Sequence, residues 1–121
     1  MRHYRFEGQT LLPVVAHAGI GHVLTTRVEE AARIGAANFI DLTEVPPGHS
    51  IGYHRHTFDN EEIYIVVSGR GRMTVDGEEV QVGPGDVVVN SGGGAHGLVN
   101  TGSEPMRIVV IEIPTSPPAG A

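Results

Sequence analysis

The chain has 121 residues, enough for one domain with one sizeable core. Hydrophobic residues make up 40% and charged residues 18%, which excludes an unfolded polar chain and a helical membrane protein. The lack of cysteine excludes disulfides, thiolate zinc sites, iron–sulfur clusters and a cysteine nucleophile, while a net charge of −6 with scattered arginines excludes a phosphate backbone or a membrane surface as partner.

Seventeen glycines and eight prolines in so short a chain call for many turns, and hence for short strands. In chain order, the apolar run at 11–15 ahead of Ala16-His17-Ala18 has the outline of a secretory leader. It is too short against the roughly 7–15 residues required, and Pro13 interrupts it, so a cytoplasmic location is expected. No run approaches the ~18 apolar residues of a membrane span. Residues 22–28 read as a strand. The only helix-like segment is 27–34, where Glu29 and Glu30 precede Arg33 and Gly35 supplies a stop. From 38 onward the pattern is strand, turn, strand. Strands are expected at 38–45, 51–56, 62–67, 72–75, 79–82, 86–89, 95–100 and 106–113. Pro46-Pro47-Gly48, Ser68-Gly69, Gly83-Pro84-Gly85 and Ser91 to Gly94 separate several of them, and Asp76-Gly77 is a strong two-residue hairpin signal. Such spacing predicts an all-β antiparallel sandwich or barrel, with no repeat, linker or second domain.

The informative constellation is His54-Arg55-His56. Two histidines at i and i+2 of a strand share a face, and two imidazoles there present half of a coordination sphere. A carboxylate pair, Glu61-Glu62, opens the next strand, and His96 stands at the start of a later one. Three nitrogens and one oxygen from separate antiparallel strands converge only where the sheet curls on itself, as inside a barrel. No Ser-His-Asp order, phosphate-cradling loop or dinucleotide fingerprint accompanies them; Gly92-Gly93-Gly94 opens no helix.

With these residues in register, the sequence resembles the cupin family of small double-sheet jelly-roll barrels. Gly48, His54, His56 and Gly69 fit the motif G-x5-H-x-H-x3,4-E-x6-G. Gly85, Gly93, His96 and Asn100 fit G-x5-P-x-G-x2-H-x3-N, with Ser91 in place of the proline. Counted forward from His56, Glu61 has the motif spacing; counted back from Gly69, Glu62 has it. Strand register follows the turn and the alternation of faces, while the loop at 57–60 can absorb an extra residue, so Glu62 is taken as the ligand and Tyr64 and Val66 share its inward face. Glu61 is then a neighbouring carboxylate.

The resemblance implies a single cupin domain over 1–121, with a core barrel at about 38–113, N-terminal strands within 1–37 and a frayed tail at 114–121. It implies one divalent transition metal (Fe, Mn, Ni, Cu, Co or Zn) on His54, His56, Glu62 and His96, with two coordination positions left open. It also implies a small-molecule substrate in the barrel and a homodimer formed through the N-terminal strands. The function expected is a metal-dependent enzyme acting on a small oxygen-bearing molecule. Dioxygenase chemistry is favoured over isomerase, cyclase or decarboxylase (lyase) chemistry, with Glu62 or Glu61 moving a proton and Tyr64 a candidate donor. A non-catalytic small-molecule or sugar binder is the competing class. His3, His17, His22 and His49 lie outside the motifs and read as ordinary surface or loop histidines. Tyr53 and Phe58 are candidates for a pocket lip, Arg107 for a solvated edge and Asn100 for a turn-supporting role.

Overall fold

Turn chemistry cuts the chain into ten strands in a computed structural model that describes residues 1–29 and 34–116. They are β1 (Leu12–Val14), β2 (Val23–Arg27), β3 (Phe39–Val45), β4 (Ser50–Arg55), β5 (Asn60–Ser68), β6 (Gly71–Val75), β7 (Glu78–Val82), β8 (Val87–Asn90), β9 (Ala95–Asn100) and β10 (Met106–Pro114). All pairings are antiparallel. One sheet runs β1-β2-β3-β10-β5-β8 and the other β4-β9-β6-β7, the two-layer arrangement of a jelly-roll barrel. The β6–β7 hairpin closes on Asp76-Gly77, both at positive φ (49° and 83°), as a two-residue primed turn requires.

Period-2 alternation places the core between the sheets. Val45, Tyr64, Val66, Met106, Ile108 and Val110 come from the six-stranded sheet; Ile51, Met73, Val82 and Leu98 come from the other. Met73, Leu98, Met106 and Ile108 are almost fully buried, each stabilising the fold by about 1.5–3 kcal/mol through area removed from water. Asn100 is buried among them with its amide satisfied: Nδ2 donates to the carbonyls of Val45 and Glu104, both at 2.8 Å, and Oδ1 accepts from the Gly102 amide at 2.9 Å. It therefore supports the turn after β9. Arg107, the alternate residue on β10, faces outward to Glu7 at 2.9 Å and Glu44 at 3.7 Å.

Two features depart from the reading of the sequence. No helix occurs among the described residues. Of the segment 27–34 expected to be helix-like, Arg27 ends β2 in register with Asp41 and is held by a bidentate ion pair to it at 2.9 and 3.1 Å. Glu29 has φ 48°, a left-handed conformation that no right-handed helix continues, and Ile34 bridges to Ala37; 30–33 lie outside the described residues. The second departure is β1, within the apolar run at 11–15 that the sequence did not mark as a strand. Pro13 is accommodated because β1 is the edge of its sheet, where one missing amide donor leaves no ladder bond broken. At the other end, Pro114 pairs with Asn60 and Thr115 donates its amide to Asp59, while 117–121 lie outside the described residues.

Candidate metal centre

The antiparallel pairing of β4 with β9 sets His54 directly opposite His96. Ile51 and His54 both face the interior although they are three residues apart, an odd separation that a regular strand forbids. The register slips between them, so a bulge at Gly52-Tyr53 returns His54 to the inner face. Gly52 is also where the N-terminal arm crosses most closely, since a Cβ there would overlap the carbonyl oxygen of His17. From the facing sheet, β5 alternates Glu62, Tyr64 and Val66 inward.

Ligand atoms of His54, Glu62 and His96 lie within 4.8 Å of one another. His96 is fully buried, with Nε2 3.2 Å from Oε1 of Glu62, but neither ring nitrogen of His96 has a hydrogen-bond partner. His56 sits beside the cluster, its ring centroid 5.1 Å from that of His96, with Nε2 buried and unpartnered. Two hydrogen bonds set the tautomers. Nδ1 of His54 donates to the Gly52 carbonyl at 2.7 Å, and Nδ1 of His56 donates to Oδ1 of Asn60 at 3.0 Å. Each ring is left with its lone pair on Nε2, the form in which imidazole ligates a metal. Borderline nitrogen donors beside one carboxylate suit a divalent transition ion, and the orphaned, buried Nε2 atoms of His56 and His96 are where such an ion would supply the missing partner.

Electrostatics agree with that donor set. Burial lowers the His54 imidazole below its usual range, only partly countered by its bond to Gly52. Burial pushes the Glu62 carboxyl up, but its contact with His96 and the fields of His56 and His54 outweigh this and hold it below the ordinary carboxylate range. Tyr64 packs edge-on against His96 at 5.3 Å and is pushed far up by burial, then by Glu62 and Asp41. Its phenol stays protonated and makes no hydrogen bond among the described residues.

Glu61 is not part of the cluster. Adjacent residues of an unbroken strand point to opposite faces, so with Glu62 inside, Glu61 projects from the other side of β5, opposite Ile113 of β10. Tyr53 and Phe58 are about half exposed. Two residues absent from the motif reading join the centre. Asn60 orients His56, and the His17 ring stacks on His54 with centroids 3.4 Å apart and planes 7° from parallel. The sequence carries no local signal for His17, because the contact depends on the arm crossing β4. A cavity of about 440 Å³ opens beside the cluster, lined among others by His17, Arg27, Phe39, Asp41, Glu62 and Tyr64. A larger hollow of about 650 Å³, lined by Arg70, Ser103 and Arg107 among others, contains none of the clustered histidines.

No helix among the described residues is long and apolar enough to cross a membrane. The oxalate-binding protein of Thermotoga maritima is 33% identical over 70 residues, 58% of this chain and 57% of that one. The tetracenomycin polyketide synthase protein TcmJ of Streptomyces glaucescens is 31% identical over 85 residues, 69% and 56% of the two chains. The chain thus spans little more than half the length of the curated relatives it matches. The structure of a predicted oxalate decarboxylase from Thermotoga maritima superposes with a TM-score of 0.85 at 26% identity, covering 92% of this chain and 97% of that one. The cupin domain model Cupin_2 matches residues 41–112, the stretch that carries both histidine motifs and Glu62, and with the two-sheet barrel around them this chain belongs to the cupin family.

Proposed function

We propose that this cupin holds one divalent transition metal on His54, His56, Glu62 and His96 and uses it to bind a small chelating carboxylate, with oxalate as the simplest candidate. The observation that carries the reading is the convergence of His54, Glu62 and His96 within 4.8 Å, with Glu62 also lining a cavity of about 440 Å³. The names of two similar proteins, an oxalate-binding protein and a predicted oxalate decarboxylase, point to the same ligand class.

A bound divalent ion supplies Lewis acidity toward a ligand oxygen. Four protein donors do not fill the six positions such ions commonly take, which leaves room for a chelating ligand. The chain's own groups then act on that ligand. Tyr64, protonated and unpartnered, donates a hydrogen bond to an anionic oxygen. Glu62, ionised at neutral pH, offers a second oxygen for a proton to reach. Phe39, Val23, Ile51 and Val110 form apolar walls that strengthen these interactions by thinning the water around them. Arg27, paired to Asp41 and lying 3.9 Å over the Phe39 ring, forms part of the cavity wall. Turnover of the dioxygenase type on a larger chelating substrate is the extension of this reading, with Glu62 as the proton-moving group and Tyr64 as a hydrogen-bond donor.

Isothermal titration of Mn²⁺-loaded protein with oxalate and with acetate tests the binding step. Oxalate should bind at least about tenfold more tightly than acetate, since only it chelates. Equal, weak binding of both would overturn the reading. Oxygen uptake by the Fe²⁺-loaded protein with ligand bound then separates turnover from binding alone.

A further inference from the structure

His17 lies outside both cupin motifs, on the arm that precedes the second strand, yet it touches a candidate metal ligand more intimately than any other aromatic side chain in the protein. Its backbone is unusual. His17 and Ala18 have φ of 51° and 56°, two successive non-glycine residues in the left-handed region. Side chains with a Cβ rarely adopt that conformation unless the surroundings enforce it. Here they do. The Ala16 carbonyl accepts from the amides of Gly19 at 2.9 Å and Gly52 at 3.0 Å; the Ser50 amide donates to Ile20 O at 2.9 Å, and the Ile20 amide donates to Ser50 Oγ at 2.8 Å. The arm is thereby riveted to β4 on both sides of His17, two residues from His54.

The consequence is a grip on one ring. His54 is held at its edge by the hydrogen bond from Nδ1 to Gly52 and on its face by the coplanar His17 ring at 3.4 Å. The edge bond alone sets the tautomer but lets the ring rock about that bond; a flat ring against the face removes the rocking. We propose that His17 is a positioning residue for the metal centre, locking the plane of the His54 imidazole so that Nε2 stays aimed at the point it shares with Glu62 and His96. The inference rests on the metal-binding reading above and concerns the flat ring of His17, not its nitrogen atoms.

The test is titration of the protein with Co²⁺, followed by its d–d absorption, in the wild type, His17→Phe and His17→Leu. Phenylalanine keeps a flat ring; leucine keeps comparable bulk without one, and His17 is exposed on its other side, so neither substitution must fit a closed core. His17→Phe should bind Co²⁺ within about threefold of the wild type with the same band envelope, whereas His17→Leu should bind on the order of tenfold or more weakly, with shifted bands, the range seen when an orienting partner of a ligand is lost. Wild-type affinity and spectrum in both variants would overturn the proposal, as would equal weakening in both, which would assign the effect to a nitrogen atom. Absence of Co²⁺ binding by the wild type would instead remove the metal centre itself, and the role of His17 with it.

Discussion

Nε2 of His96 lies 3.2 Å from Oε1 of Glu62, across the gap between the two sheets, without forming a hydrogen bond. A fully buried imidazole with both nitrogens unmet carries a desolvation cost that a structural ion pair would relieve by aligning its donor. Proximity without alignment leaves these nitrogens, with the unpartnered Nε2 of His56, available to the metal proposed above.

Removing donors should remove metal. Elemental analysis of purified protein should find one transition ion per chain, and His96→Ala and Glu62→Gln should each weaken binding by at least about 100-fold, beyond the loss typical of an outer partner. Glu61→Gln should stay within about twofold of the wild type, because its carboxyl leaves β5 on the opposite face. Metal loss in Glu61→Gln with retention in Glu62→Gln would reverse the assignment.

Tyr64→Phe separates ligand binding from metal binding. It deletes one hydrogen bond to a charged ligand, about 1.5–3 kcal/mol, so oxalate affinity should fall by roughly 10- to 100-fold while Mn²⁺ affinity is unchanged. Burial keeps the phenol protonated, so the ratio of wild-type to variant affinity should not vary between about pH 5 and 9. A ratio that changes with pH would show that Tyr64 ionises in that range.

Acid should destabilise the metal-free protein in two stages. Burial lowers the imidazoles of His54 and His17 below the usual 6.5, so in that region the unfolded chain takes up protons that the folded chain refuses. Their contribution is fully present above 6.5 and is lost as pH falls through the depressed folded values. Glu62, held below its usual 4.5, adds a second loss at lower pH by the same sign. Thermal midpoints of the apo protein should therefore be level above about pH 7 and fall as pH drops toward 5, with the first fall reduced in His54→Asn. A midpoint that holds steady from pH 7 to 5 would contradict the partial desolvation of these rings.

Asn100→Ala should cost about 2–3 kcal/mol, since it strips the buried Val45 carbonyl and the Glu104 carbonyl of their donor and the Gly102 amide of its acceptor. Urea unfolding should show a lower midpoint with the slope unchanged, and metal affinity should hold within about twofold, because the residue lies at the far end of β9 from His96.

Much of this fold is written in local chemistry. Asp76-Gly77 demands a hairpin wherever the rest of the chain lies, and alternation along 62–66 and 106–110 commits those residues to one buried face. The two motifs likewise bring His54, His56, Glu62 and His96 into view, since side-chain direction on a strand follows sequence parity. Where pairing partners matter, the local signal misled. Glu29 and Arg33 suggested a helical turn, but Arg27 is already committed to Asp41 on the neighbouring strand. Pro13 obscured a strand that survives because it is an edge.

The candidate metal centre divides along the same line. Residue spacing and turn types act over a few positions, so the chain reads out most of its strands and, through the motif resemblance, its jelly-roll class and candidate donor residues without reference to long-range contacts. The bulge that turns His54 inward, the distance from Glu62 to His96, the hydrogen bond of Asn60 to His56 and the stacking of His17 on His54 depend on sheet pairing, on local loop geometry and on an arm whose Ala16 carbonyl is anchored by the amide of Gly52, 36 residues downstream. Those relations exist only once register and sheet packing bring distant segments together, and they settle which face each donor ring presents.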